Sequence, residues 1–221
     1  MKNIDIITAC EKAKKALKNN LNGNAAEIIR ALQEAAETEQ RAEKAKTNGA
    51  KTIYTAATRI LKNSAAYNSA RPALLYSYND GQRVNVCDGF KLIQLNAETA
   101  PELPALPDKM NYIDAARIME PATGNADAVT LPEISELKNY IKIEKAKKKA
   151  TKDKTAPVYI LNTENGQKVH TNAIYLLDVM ECLPGATAKA SAHGPIYPVY
   201  FESENGRGIL CPVRPGEAAR Q

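Results

Sequence analysis

The side chains that carry out most enzymatic chemistry are sparse in this sequence and poorly placed for it. Histidine is the one side chain whose ordinary pKa lies near neutrality, and only two are present, His170 and His193. The first is expected at a strand end after an Asn165-Gly166 turn, the second in a turn of its own. Neither stands in a motif with a serine or cysteine nucleophile, and no Gly-x-Ser-x-Gly elbow occurs. The four cysteines, Cys10, Cys87, Cys182 and Cys211, form no Cys-x-x-Cys pair. That spacing speaks against zinc and against a disulfide framework, and fits a reducing cytoplasm. Gly-x-Gly-x-x-Gly, Walker and His-Glu-x-x-His motifs are all missing. Asp88-Gly89 is the pair most suggestive of a metal ligand, yet an aspartate before glycine is ordinary turn chemistry. These residue types point away from an enzyme and imply no cofactor.

The lysines offer a different chemistry. Between Lys138 and Lys154 there are eight lysines against only Glu144 and Asp153, while the whole chain carries a formal charge of +5. The excess positive charge therefore lies in one tract. Two readings fit it: a solvated helix end with a polar loop, or a surface that attracts polyanions. In the second, Lys142, Lys145, Lys147, Lys148, Lys149 and Lys152 contact DNA phosphates without reading bases, because lysine lacks the planar fork of arginine.

The elements that must position these residues follow from periodicity and turn signals. A chain of 221 residues that is 44% hydrophobic has room for one sizeable core and an appendage. No run approaches the length of a membrane-spanning helix, so no membrane partner is expected. Ile7-Thr8-Ala9-Cys10 has the outline of a lipoprotein cleavage box, but Asp5 interrupts the apolar segment that such a signal needs. Residues 1–49 read as a helical hairpin. Asn3 caps a helix bearing Ile4, Ile7, Cys10, Leu17 and Leu21, Asn22-Gly23 breaks it, and an Asn24–Glu27 capping box opens a second helix that Asn48-Gly49 stops. The hairpin either packs on the following domain, pairs with another copy, or serves as a docking arm.

Residues 50–214 read as one α+β domain built from two modules of the same plan. Thr52–Tyr67 is predicted helical with Ile53, Ala57, Ile60 and Leu61 on one face. It is followed by strand-like runs at Pro72–Asn79 and Gln82–Leu95 around an Asp80-Gly81 turn. Downstream, Asn172 caps a helix with Ile174, Leu177 and Met180 on one face, and Pro184-Gly185 ends it. Strand-like runs follow at Thr187–Ala192, Ile196–Ser203 and Gly208–Arg214, the last two joined by Asn205-Gly206 as a type I′ turn. The segment at about 96–156 reads as an insertion. ETAPELPALPDK is an extended surface loop, Tyr112 to Met119 a short helix ended by Pro121, and Leu131–Lys149 a helix opening on Pro132. Residues 215–221 are a tail.

Five runs resemble one known family. YLLDVMECL at 175–183, GPIYPVYFES at 194–203 and ILCPVR at 209–214 are similar to the closing helix and strands of the bacterial DNA polymerase sliding clamp, the β subunit. ARPALLYSYNDGQRVNVCDGFKLIQL at 70–95 is similar to its middle domain, and PDKMNYIDAARIMEP at 107–121 to a linker of that family. The matching runs cover roughly a third to a half of the chain. Clamp protomers hold about three domains, and this chain has room for one, so the resemblance implies a reduced, single-domain relative of the kind a phage or mobile element encodes. The family pattern has His-Arg where Phe90-Lys91 stand here.

What the resemblance implies is a non-enzymatic accessory factor of DNA replication or repair. In clamps two strands line an apolar groove for short peptides of polymerases and loaders. The matching positions are Cys87, Gly89, Phe90, Lys91 and Leu92 in one strand, and Cys211, Pro212, Val213 and Arg214 in the other. Clamp helices face DNA, which implies Arg59 and Lys62 toward phosphate. Encircling DNA would need self-association into a closed ring. The alternative is a protein–protein interaction module on a clamp-like scaffold that does not encircle DNA. A third reading is coincidence at the level of fold, since helix-plus-meander plans are common.

Overall fold

The computed structural model describes residues 25–67 and 70–214. The first predicted helix, the Asn24 cap, Cys10 and the 215–221 tail lie outside the described residues. The chain divides into two compact units, Met1–Lys51 and Thr52–Gln221.

The described part of the first unit is a single helix, α1 (Ala25–Thr47). Its surface is laced by ion pairs one turn apart, Arg30–Glu34 at 3.4 Å, Arg41–Glu37 at 2.9 Å and Lys46–Glu43 at 3.4 Å, each a small increment to a solvated helix. It ends where expected, with the Ala50 amide donating back to the Ala45 carbonyl at 2.8 Å.

The second unit is α+β. It runs α2 (Lys51–Tyr67), β1 (Tyr78–Asn79), β2 (Arg83–Cys87), β3 (Lys91–Asn96), α3 (Ala115–Thr123), β4 (Asp127–Thr130), α4 (Ile134–Ala150), β5 (Val158–Thr163), β6 (Lys168–Asn172), α5 (Ala173–Cys182), β7 (Thr187–Ala190), β8 (Val199–Ser203) and β9 (Gly206–Leu210). One antiparallel sheet takes all nine strands in the order β1-β2-β3-β9-β8-β7-β4-β5-β6. The two modules are visible in it: α2 precedes the meander β1–β3, α5 precedes the meander β7–β9, and the two last strands pair antiparallel, Lys91 opposite Leu210 through Leu95 opposite Gly206.

Both faces of the central strands are covered, so β3 is buried without alternation from Lys91 to Leu95, Gln94 included. Leu92 and Ile209 join Leu74, Cys87, Met119 and Tyr200 in a cluster under α3. On the other face α5 lies against β3, β9 and β6. Just beyond β9 the Val213 amide donates to the His170 carbonyl of β6 at 2.8 Å. A mid-sheet strand thus reaches the strand at the far edge, and the sheet is curled around α5 as a half-barrel.

Several expectations need correction. Pro72–Leu75 is a turn of 3-10 helix with buried Leu74, not strand, because Pro at its first position pre-sets a helical φ. The predicted run Gln82–Leu95 is two strands, broken at Asp88-Gly89-Phe90 where Asp88 accepts from the Phe90 and Lys91 amides. Pro121 lies inside α3, which continues to Thr123 with Met119 and Ala122 buried on either side. The predicted surface loop buries Pro101 and Leu103, and Ala105 forms a bridge with Ser77. The helix α4 starts at Ile134, leaving Pro132 just ahead of it. The segment between 96 and 156 also holds a strand, β4, which gives little sequence signal because its four residues include only one large apolar side chain, Val129. On α5 the residues Ile174 and Leu177 are only half-buried, and burial is deepest at Leu176, Val179 and Cys182. Strand β8 starts after Pro198 and β9 stops before Pro212, because neither proline has an amide for the ladder.

The Asn205-Gly206 pair is not a type I′ turn. Glu204 and Asn205 form the turn, both with negative φ, and Gly206 begins β9 at φ 144° opposite Leu95. A Cβ at Gly206 would lie 2.1 Å from the Gln94 carbonyl oxygen, whereas one at Gly81, φ 96°, would meet open space. Gly206→Ala is therefore expected to cost about 2–4 kcal/mol of unfolding free energy, and Gly81→Ala only about 1–2 kcal/mol from its backbone conformation. Urea denaturation of the two variants measures the difference.

Candidate functional site

Lys91 lies at the first position of β3, on the face that meets α5, and its side chain is wholly buried. An ammonium without water needs carboxylates. Asp88, three residues earlier in the tight turn, supplies one at 2.6 Å, and Asp178 of α5 supplies another at 3.3 Å. The ammonium also sits 3.7 Å from the centroid of the Tyr175 ring, a cation–π contact. The network continues outward. Arg59 of α2 donates to Asp178 at 2.7 Å and to Glu181, and Lys138 of α4 reaches Glu181 at 2.6 Å. Three cations thus meet three carboxylates, joining α2, the β2–β3 turn, α4 and α5 with no net charge.

Burial raises Asp178 above its ordinary 3.8 even though Lys91 and Arg59 oppose it. Burial acts the same way on Glu181, but there the hydrogen bonds from Lys138 and Arg59 outweigh it and hold the carboxyl below its ordinary 4.5. Burial also raises the thiols: Cys87 is pushed up to about 12 and Cys211 is raised as well, so neither is a nucleophile near neutral pH.

The two strand stretches singled out from the sequence lie side by side. Beyond the Lys91–Leu210 pair the Cys211 amide donates to the Phe90 carbonyl at 2.8 Å, and the Phe90 ring stacks on Tyr175 with centroids 5.5 Å apart. Cys87, Lys91 and Leu92 are buried beneath the surface. Phe90, Cys211, Pro212 and Val213 are half-buried, and Gly89 and Arg214 are exposed. The result is a strip whose outer side is mainly apolar and whose floor is the charged network, linked to it through Tyr175.

The basic residues separate into two groups. Arg59 is engaged by Asp178 and Glu181, while Lys62 is exposed on α2. Along α4, Lys142, Lys145 and Lys149 are exposed at helical spacing, Lys147 pairs with Glu144 at 2.7 Å, and Lys148 pairs with Asp153 at 2.7 Å. Lys152, also exposed, has the positive φ of 59° that turns the chain out of the helix. A cleft of about 380 Å³ opens between this end of α4, the following loop and the start of α5. Among the described residues no group of three or more His, Cys, Asp or Glu is arranged to hold a metal, and no helix is long and apolar enough to cross a membrane.

Lys91→Met strips the buried Asp88 of its ammonium and leaves Asp178 to Arg59 alone, and is expected to cost about 3–5 kcal/mol. Lys138→Met removes a cation that is half exposed and is expected to cost about 1 kcal/mol or less. Urea denaturation at neutral pH compares them. The Glu181 contribution is complete above pH 4.5 and is lost as pH falls through its lower folded value. Asp178 works the other way, its contribution declining as pH rises from 3.8 through its higher folded value. Glu181→Gln should therefore be less stable at neutral pH and lose less stability on acidification below 4.5, as read from denaturation midpoints across acid pH.

No family model matches the chain, and no curated protein matches it. Among solved structures it is similar to a sliding clamp, DNA polymerase III subunit beta, from Bartonella birtlesii bound to griselimycin, at 15% identity over 67% of this chain and 60% of that one, with a TM-score of 0.49. It is similar to the DNA polymerase III beta chain of Streptococcus pneumoniae at 11% identity over 72% and 63%, TM-score 0.44. It is also similar to a putative DNA polymerase III beta subunit of Eubacterium rectale at 10% identity over 73% and 64%, TM-score 0.42. The chain spans about three fifths of the length of these proteins, and the likeness is one of fold.

Proposed function

We propose that the protein is a non-enzymatic, clamp-like accessory factor of DNA replication or repair that docks short partner peptides on the Phe90–Val213 strip and binds DNA without sequence preference. The observation that carries this reading is the junction of β3 with the end of β9. It brings together the two stretches whose sequences resemble the peptide groove of sliding clamps. The strip has the properties such docking needs: half-buried Phe90, Pro212 and Val213 as apolar contacts, exposed Arg214 at the rim, and a floor fixed by Lys91. DNA contact is assigned to the lysines of α4 and its loop.

A second reading, an interaction module that does not encircle DNA, draws on the sheet edges. Ring closure through strand pairing needs free edges. Here β1 offers two residues, and the β6 edge is occupied at His170 by the chain's own Val213. Light scattering with circular duplex DNA separates the two. A discrete higher oligomer that stays on circular DNA and is lost on linearisation is expected of a ring; a monomer or dimer on both templates is expected of the module. Under either reading Val213→Asp, on the strip, should weaken capture of a polymerase C-terminal peptide by about 10-fold or more. Ile196→Asp, in the exposed β7–β8 loop, should leave it unchanged. Equal binding by both variants and the parent would remove the strip from the proposal.

A further inference from the structure

The cleft at the end of α4 is lined by Lys145, Lys148, Lys149, Lys154, Thr155 and Tyr175, among others. Its volume of about 380 Å³ lies at the low end of clefts that hold small ligands. Its loop is fixed internally. Asp153 accepts from Lys148 at 2.7 Å and from the Thr155 amide at 2.8 Å, and Lys148 also bonds the Thr155 hydroxyl. Those bonds hold the Asp153 carboxyl well below its usual range, at about 2, so the one acid of the cleft is already committed. Among the described residues Lys145, Lys149 and Lys154 have no ion pair and remain exposed. The first amides of α5 are also taken, since Asn172 Oδ1 accepts from Ile174 and Tyr175. The attraction of the cleft therefore comes from side-chain ammoniums.

Those ammoniums are not isolated. Lys142, Lys145 and Lys149 follow one another at steps of three and four residues, which places them on one face of α4 at intervals of roughly 4.5 and 6 Å along its axis. A row of point charges leading into a cleft suits a linear polyanion better than a single small anion, and lysines without arginine give contact without base readout. The α2/α5 face offers no such row: Arg59 is bound to Asp178 and Glu181, and Lys138 is bound to Glu181 as well.

We infer that the α4 lysine row delivers a nucleic-acid backbone into this cleft, which seats one phosphate with its sugar, and that this face rather than the α2/α5 face makes the protein's nucleic-acid contact. The inference rests on the nucleic-acid part of the proposed function and locates it. The test uses the full chain and a fluorescein-labelled linear duplex of about 20 base pairs, with anisotropy read across about 50 to 200 mM salt. Lys145→Gln/Lys149→Gln/Lys154→Gln, all exposed positions, should weaken binding about 10-fold or more and reduce the slope of log K against log salt by about 2 to 3. Lys62→Gln should bind within about twofold of the parent. Loss with Lys62→Gln and none with the triple variant would overturn the assignment while leaving DNA binding standing. No binding by the parent at the lowest salt would overturn the nucleic-acid reading itself. Polyglutamate competing as well as single-stranded DNA of equal charge would assign the face to acidic protein segments and overturn the inference.

Discussion

The burial of Lys91 is the constraint on which the rest of this unit depends. A fully buried ammonium is tolerable only where carboxylates and a ring face meet it in fixed geometry, and two separate parts of the chain, the β2–β3 turn and α5, supply that geometry. Asp88 must sit in a tight turn three residues before it, Asp178 must come from α5, and Tyr175 must lie one turn earlier on the same helix. Helix α5 is thereby held at one rotation and one height against β3. Arg59 and Lys138 then hold α2 and α4 to the outer carboxylate oxygens of α5. A purely apolar contact would pack α5 against the sheet, but it would tolerate sliding. The ion network does not, since a shift of one residue leaves a buried charge alone.

The shape of the sheet follows from where α5 is held. Strands β3 and β9 lie under it and β6 touches its side. For all three to contact one helix of ten residues the sheet must curl, and the bond from Val213 to His170 fastens the curl. The curl determines the surface of the strip as well. Phe90 follows directly on the Asp88-Gly89 turn and stacks on Tyr175, whose ring also faces the Lys91 ammonium. The half-buried apolar strip and the buried charge beneath it are thus two sides of one arrangement.

Much of this was legible from the sequence because it rests on local chemistry. The Asn172 cap, the Asp80-Gly81 turn and the separation into two helix-then-meander modules follow from residue types at fixed spacing. The boundaries that failed did so where a local signal served a different end. Asn205-Gly206 has the composition of a hairpin turn, but its glycine is required by the approach of Gln94 from the neighbouring strand. Pro121 should stop a helix, yet the burial of Met119 and Ala122 carries α3 past it. The ion network was partly visible: two acids, Asp178 and Glu181, interrupt an otherwise apolar helix, and Lys91 interrupts an apolar strand. Such residues need partners, but the sequence does not say which, because Arg59 and Asp178 are 119 residues apart.

The same network explains how charge is distributed on the surface. Helix α5 is acidic where it is charged at all, and its acids take up Arg59 and Lys138. The face shared by α2 and α5 is left close to neutral, so a polyanion gains little there from local Coulomb attraction. The positive excess lies instead on α4 and its loop, where Asp153 is spent on fixing Lys148 and Thr155. Neutrality at the first place is a condition of the fold, since unpaired acids on α5 would be buried charges. Positive charge at the second is not, since Lys142, Lys145 and Lys149 are exposed and form no ion pair among the described residues. An electrostatic surface that folding does not require is the part of this molecule free to be shaped by what it binds.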